Sequence, residues 1–469
     1  MAEREITPDE RKYAAELLSK ARAAMAAIQD YDQETVDRLC RALAWGAGNE
    51  KTFSRLERMG VDESGAGDRE GRPAKRFKIQ GILRDALRQK SVGIVEEIPD
   101  KGLVKYAKPV GVIASVVPMT NPGLTPIGTA IYAMKCKDAV IFSAHPRTAK
   151  TTQETVNVLR AVLKCHGVPE DLFQCVERPS IPLAQELMSL CDLVLATGGS
   201  AMVKAAYSSG TPAFGVGSGN STMVIDETAN IEEAARNSRL SKTSDFGSGC
   251  SADGNLLIEA SIYDRMLAQL QKEGGYLCSP AEKAALEAVL WDKEGRRTLN
   301  TIARSTQAIV AQAGFSVPED RKFLMVTEEH IGKAYKFSTE KLCVVMALFK
   351  YSGFENALQM VKDIYDTGGK GHSCGIYSFN DEHIHQLALI APVSRIMVRQ
   401  PQSKANAGSF NNGMPMTSSL GCGTWGGNIT SENINLKHYM NLTWVSRQIP
   451  EDRPSEAELF GEFYNTETY

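Results

Sequence analysis

Cys250 closes the run Asp245-Phe246-Gly247-Ser248-Gly249-Cys250, a loop of small residues ahead of the apolar stretch Asn255–Ile258. A thiolate attacks carbonyl carbon well, and neighbouring glycines let backbone amides approach the oxyanion that forms. Asn121, in Pro118-Met119-Thr120-Asn121-Pro122, lies just past a strand end with Pro122 fixing the chain beside it. Its amide suits the second donor such an oxyanion needs. Thr197-Gly198-Gly199 follows an apolar strand-like run and opens a helix-like one, so free amides and the helix dipole can face a phosphate. Glu340 stands before the apolar run Cys343–Leu348, and His372 lies in Gly371-His372-Ser373-Cys374-Gly375. Each has an ordinary reading on its own: a core thiol, a turn cap, a common strand-to-helix turn, a solvated strand-end charge, a satisfied histidine. Jointly, and in this order, they read as a site for covalent chemistry on a carbonyl.

The order and spacing of these motifs resemble the aldehyde dehydrogenase superfamily over nearly the whole chain. The resemblance implies Cys250 as nucleophile, Asn121 as oxyanion donor and Glu340 on a nicotinamide ribose. It also implies a dinucleotide held at Thr197, Gly198 and Gly199, with Thr120 and Gly217 beside them; Gly-x-Gly-x-x-Gly is absent from this turn. At the adenosine end, His145, Pro146, Arg147 and Thr148 follow the strand Ala139–Phe142. Typical members carry a lysine here and an acid three residues on, both holding ribose hydroxyls. Thr148 takes the acid's position, with Arg147 and Lys150 nearby, which favours a 2′-phosphate and hence NADP. NAD is the alternative if the basic turn is merely solvated.

One departure bears on the reaction. Hydrolytic members activate water with the glutamate of a Glu-Leu-Gly-Gly-Lys stretch; the matching segment here is Gly215-Val216-Gly217-Ser218-Gly219-Asn220, with Gly215 in the glutamate's place. Without that base a thiol is a better acyl acceptor than water. The chain at this point resembles the coenzyme A-acylating branch, as do Ser409-Phe410-Asn411-Asn412, Leu420-Gly421-Cys422-Gly423-Thr424-Trp425-Gly426 and Ser431-Glu432-Asn433. Cys422 takes a structural position in that pattern. His372 is expected to touch coenzyme A, act as an acid/base, or be structural. In motif the chain is near the succinate-semialdehyde and sulfoacetaldehyde types. Ser248 and Gly249 give a roomy, polar wall beside the nucleophile. Lys404, Asn406 and Ser409 follow a strand bordering the aldehyde pocket, which suits an anionic tail unless Lys404 is a solvated loop charge. Sulfoacetaldehyde is the leading substrate, with succinate semialdehyde and acetaldehyde or propionaldehyde as alternatives. The competing readings are a hydrolytic dehydrogenase and a catalytically silent assembly protein with the same fold.

These residues need a scaffold, and 469 residues suit two domains rather than one core. With 43% hydrophobic and 23% charged residues the chain is an ordinary globular one, and a net charge of -3 offers no field for nucleic acid. Apolar runs are strand-sized and the first ten residues lack a signal peptide's basic start, so no membrane partner and a cytoplasmic location are expected. The ten cysteines form no Cys-x-x-Cys pair and the seven histidines do not cluster with them; no metal is expected. The chain ends without the iron-dependent alcohol dehydrogenase half of fused aldehyde-alcohol enzymes. Pro8–Trp45 reads as two amphipathic helices with Thr7 as cap, and 62–76 as a loop. Strands and helices alternate from Val112 to the strand Thr222–Ile225, and a second α/β series runs from Asn255 to Val398. Two doubly wound parallel sheets follow. Residues 1–95 and 111–232 are expected to bind the dinucleotide and 233–435 to carry the nucleophile, with the junction near 231–234. The hairpin and tail, 96–110 and 436–469, are expected to build a homodimer or homotetramer, with Leu442–Gln448 lent to a neighbouring subunit.

Overall fold

In the computed structural model, which describes residues 4–465, the alternating apolar runs and amphipathic helices build two parallel sheets. The first has five strands, in spatial order Phe173–Cys175, Ala139–Ala144, Val112–Val117, Leu193–Thr197 and Ala213–Val216. All neighbours are parallel, and the central strands are mostly apolar and buried along nearly their whole length because helices cover both faces. The helix Pro8–Ala27 starts at a capping box between Thr7 and Glu10, as the sequence suggests. Two helices escaped the periodicity: Glu50–Ser64, capped by Asn49 and ended by left-handed Gly65, and Phe77–Leu87, entered through a 3₁₀ turn at Arg72–Arg76. The stretch 62–76 is thus a loop only in part.

The second sheet has seven parallel strands, ordered Gly275–Leu277, Phe323–Glu328, Val345–Tyr351, Asn255–Glu259, Thr222–Ile225, Cys374–Tyr377 and Ile396–Val398. Thr222–Ile225, expected to close the first series, lies inside this second sheet instead. Its register with Asn255–Ile258 on one side and Cys374–Tyr377 on the other explains why all four of its residues are buried. The chain therefore changes sheets between Val216 and Thr222; 231–243 is a helix capped by Asn230. Near its C-terminus the chain returns, and Met416, Ile434, Leu436 and Tyr439 complete the core of the first sheet.

Gly93–Ile98, Leu103–Pro109 and Met440–Ser446 form a small antiparallel sheet. The last strand, expected to pair with a neighbouring subunit, pairs along its full length with the chain's own hairpin. Among the described residues no helix is long and apolar enough to cross a membrane.

Candidate active site

The nucleophile loop leaves the helix Ile231–Thr243 through three left-handed residues, Asp245 (φ 49°), Phe246 (φ 52°) and Gly247 (φ 71°). Two of these are not glycine, and such a conformation holds only where other contacts over-determine it. The Asp245 carboxylate supplies them. Its Oδ1 accepts from Arg72 Nε (2.9 Å) and the Asp68 backbone N–H (2.8 Å); its Oδ2 accepts from Lys75 Nζ (2.8 Å) and the Ser248 hydroxyl (2.7 Å). Burial opposes the charge, but Lys75 and Arg72 overcome it and hold Asp245 down at about 2.

Cys250 is half-buried, and its Sγ lies 2.9 Å from His372 Nε2. His372 Nδ1 is 2.9 Å from the Ser373 hydroxyl, which is 3.0 Å from the Ser221 hydroxyl, and Arg395 holds the His372 carbonyl at 2.7 Å. Burial, with Glu340 adding to it, pushes the Cys250 thiol up to about 12; burial, with Arg395 adding to it, pulls His372 down to about 3. The free pair is a neutral thiol facing a neutral imidazole, which can accept the thiol proton as sulfur attacks. Two glycines permit this packing. A Cβ on Gly219 would lie 1.9 Å from the Cys250 carbonyl oxygen, and one on Gly371 (φ 83°) 1.7 Å from that of Cys422.

Asn121 is oriented by Lys75, whose Nζ lies 2.9 Å from Asn121 Oδ1. Ammonium only donates, so the amide oxygen faces Lys75 and the NH₂ group is turned away from it. Among the described residues that NH₂ has only the Thr120 hydroxyl at 3.5 Å, and the Cys250 backbone N–H donates to no other residue. Both donors are free for an oxyanion. Asn121, Cys250, Lys75 and Asp245 line one cavity of about 780 Å³.

Thr120, His145, Pro146, Thr197, Gly198, Gly199, Gly217 and Glu340 line the same cavity, as the sequence suggests for a dinucleotide site. Gly199 precedes the helix Ser200–Tyr207 without a side-chain cap, and a Cβ on Gly199 or Gly217 would meet nothing within 4 Å. A phosphate can therefore reach the first turn's amides, and the residues fit a nicotinamide dinucleotide. Glu340 Oε1 accepts from Gly219 N–H at 2.8 Å, and burial raises this carboxyl to about 7 against that bond. A second cavity of about 750 Å³ shares Gly217, Ser218 and Glu340 with the first. Arg147 and Thr148 depart from expectation: neither lines the cavity. The Arg147 guanidinium donates to the Ser64 carbonyl (2.5 Å), an orphan acceptor at a helix C-terminus, and Thr148 is buried with its hydroxyl on the His145 carbonyl (3.4 Å).

On the aldehyde side, Ser248, Gly249 and Lys404 line the cavity, but the Ser248 hydroxyl is committed to Asp245 and Lys404 is exposed. Ser409 lies outside the lining, its hydroxyl donating to Asn411 Oδ1 (2.6 Å) within its own turn. Gly215 is also outside it, and a Cβ there would lie 2.7 Å from Val203 and 2.9 Å from Tyr207. A glutamate at this position has no room. Cys422 is buried and its backbone N–H donates to Asn428 Oδ1 (2.9 Å). Asp226, Glu227 and His383 are the grouping among the described residues with ligand atoms close enough for a metal, but none of them lines either cavity.

Sequence reasoning missed Arg72, Lys75 and the role of Asp245. Arg72-Pro73-Ala74-Lys75 sits in a Gly- and charge-rich stretch with no periodicity, and its partner lies 170 residues away from Lys75. The proline followed by two basic residues was the only local signal, and it marks a helix entry rather than a site.

Comparisons place this geometry among known proteins. The model of the Aldehyde dehydrogenase family matches residues 11–410. The chain is 43% identical to a sulfoacetaldehyde dehydrogenase of Acholeplasma sp. over 95% of its length and 93% of the relative's. It is 38% identical to a sulfoacetaldehyde dehydrogenase (acylating) of Bilophila wadsworthia, over 97% of this chain and 99% of that one. The crystal structure of an acetylating aldehyde dehydrogenase from Geobacillus thermoglucosidasius superposes with a TM-score of 0.91 at 32% identity, covering 95% and 99% of the two chains.

Proposed function

Since the chain belongs to the aldehyde dehydrogenase family, we propose that it is a coenzyme A-acylating aldehyde dehydrogenase, with sulfoacetaldehyde as the leading substrate and sulfoacetyl-CoA as its product. The observation that carries this reading is the contact of Cys250, which lines the cavity shared by Asn121 and the dinucleotide cradle, with the buried His372 behind it. The Cys250 S–H proton passes to His372 Nε2 as sulfur bonds the aldehyde carbon, and the oxyanion is met by the Asn121 amide and the Cys250 backbone N–H. A nicotinamide dinucleotide held at Thr197–Gly199 and Glu340 supplies the hydride acceptor. The acyl group is then a thioester on Cys250. The proton held by His372 is released to solvent before coenzyme A, the second substrate, reacts. The coenzyme A thiol then gives its proton to His372 as its sulfur bonds the acyl carbon, and His372 returns that proton to the Cys250 sulfur as it leaves.

The glycine at 215 supports transfer to a thiol rather than to water, since it leaves no carboxylate there to act as a base, and Val203 and Tyr207 fill the space beside it. The other carboxylates lining the cavity are Asp68, Asp245 and Glu340; Asp245 is bound by four donors and Glu340 by the Gly219 amide. NADP is proposed over NAD because Thr148 stands where the resemblance would place a ribose-binding acid, the nearby Glu63 carboxylate is engaged by the Lys150 and Thr151 backbone N–H groups, and exposed Lys150 is the nearby cation. One assay tests these points together: aldehyde with NADP or NAD, with and without coenzyme A. Without coenzyme A, about one equivalent of reduced cofactor per site is expected, then a stall at the thioester. Continued turnover to free acid would sink the acylating reading. NADP should be favoured by about tenfold if one charge-assisted contact meets the phosphate; a preference for NAD would dismiss that contact.

A further inference from the structure

Three lysines line the cavity, and they differ in what balances their charge. Lys75 is paired with Asp245, and Lys404 is exposed and hydrated. Lys78 has neither compensation. It is 6% exposed, and its Nζ has only the carbonyls of Gly408 (2.6 Å) and Lys404 (3.3 Å) and the Phe77 ring at 5.0 Å. Among the described residues no carboxylate pairs with it. A buried ammonium without a counter-charge is costly, and a methionine in its place would pack more favourably. Burial alone draws its pKa down to about 7. Two of its three donor directions are used by the carbonyls, which leaves one.

The wall around Lys78 supplies a second donor. On the helix Phe77–Leu87, Gly81 and Ile82 share a face with Lys78. A Cβ on Gly81 would lie 2.3 Å from the Met416 sulfur, so this face packs against the 416–418 segment. A Cβ on Gly128 would meet both Ile82 (2.9 Å) and the Ser418 hydroxyl (3.3 Å), which puts Ser418 beside Ile82, one turn from Lys78. The Ser418 hydroxyl lines the cavity and bonds no other described residue.

We propose that Lys78 recognises the anionic tail of the aldehyde, with the Ser418 hydroxyl, one helical turn along the same wall, as a further donor, and that Lys404 does not. This rests on the anionic-aldehyde reading above. A sulfonate or carboxylate brings the missing counter-charge into a site where water screens it little, so the contact strengthens as the substrate enters. Neutral aldehydes of the same length leave Lys78 unpaired and lose that discrimination.

The test is the ratio of kcat/KM for sulfoacetaldehyde to that for propionaldehyde, in the wild type and in K78M, K78R, S418A and K404A. The wild type should favour the anion; K78M should lower the ratio by about tenfold or more, S418A by a few-fold, and K404A by less than either. K78R, which keeps the charge, should keep most of the preference, and it serves if K78M fails to fold. Inhibition of propionaldehyde turnover by 2-hydroxyethanesulfonate should weaken in K78M in parallel. A wild type that prefers propionaldehyde overturns the anionic reading and this assignment with it. A wild type that prefers the anion while K78M keeps that preference, or K404A loses more of it, overturns the assignment of Lys78 alone.

Discussion

Lys75 shows how much of this site is held by residues that touch no reacting atom. Its ammonium lies between Asn121 Oδ1 and Asp245 Oδ2, so one cation orients the oxyanion donor and steadies the left-handed turn before the nucleophile. Lys75→Met should therefore lower kcat by about 10–100-fold, approaching the loss of an oxyanion donor itself, with little change in KM for the dinucleotide. Steady-state kinetics on a variant shown to be folded by circular dichroism would check this, and an undiminished kcat would remove Lys75 from the site. The two candidate thiols separate as cleanly. Cys250→Ala should lose all turnover, because only this sulfur meets His372 and the cavity, while Cys422→Ala should stay within a few-fold of the wild type. A stably folded but inactive Cys422→Ala enzyme would reverse the assignment.

At the scale of elements, helix Glu50–Ser64 has a pH-dependent connection to the active-site network through Glu57. This residue is fully buried beside Gly123 and Leu124; burial raises its carboxyl to about 7, with Lys75 and Arg72 pulling the other way. Unfolded, it titrates near the ordinary glutamate value of 4.5. Between these values the folded state keeps a proton that the unfolded chain has lost, so its stabilising contribution is full below 4.5 and disappears as pH rises through 7. Glu57→Gln fixes the neutral form. Its stability relative to wild type should rise between pH 5 and pH 8, by on the order of 1–3 kcal/mol. Thermal melts at the two pH values measure the difference; a constant offset would mean that Glu57 is charged throughout.

On the scale of the whole molecule, the two sheets meet where the chain crosses between them, and the cavity lies at that seam. Gly217 and Ser218, in the crossing segment, line it between residues of the first sheet's strand ends and the loop that carries Cys250. Such crevices at changes of connection are where α/β folds bind ligands. Among the described residues the small antiparallel sheet and the segment after it contribute nothing to the cavity, yet Trp444 is 54% exposed, and Leu459 and Phe460 protrude from the short helix Glu456–Phe460. This apolar surface is expected to be covered by further copies of the chain. Light scattering should find a dimer or tetramer, and L459D/F460D should lower the mass; a monomeric wild type at micromolar concentration would count against it.

Residues that act through local backbone chemistry could be read without coordinates. The Thr197–Gly199 turn and the capping box at Thr7 are legible because short-range pattern specifies them, whereas the roles of Asn121, Cys250 and Glu340 were legible only through the family resemblance. Most buried strands were legible too, as runs of apolar residues. Three were not: Ala213–Val216 and Gly275–Leu277 are short and contain a glycine, and the apolar run of Phe323–Glu328 is only four residues, too short to be told from helix; Thr222–Ile225 was assigned to the wrong sheet because a buried apolar strand fits either one. The sequence spoke to which side chains could do chemistry. Only tertiary structure decided how each charge is satisfied: Arg147 turned to Ser64, Lys75 and Arg72 gathered on Asp245, Lys78 left unpaired beside the substrate cavity. Charge pairing acts through space between residues far apart in the chain, and no local pattern records which partner a buried ion will find.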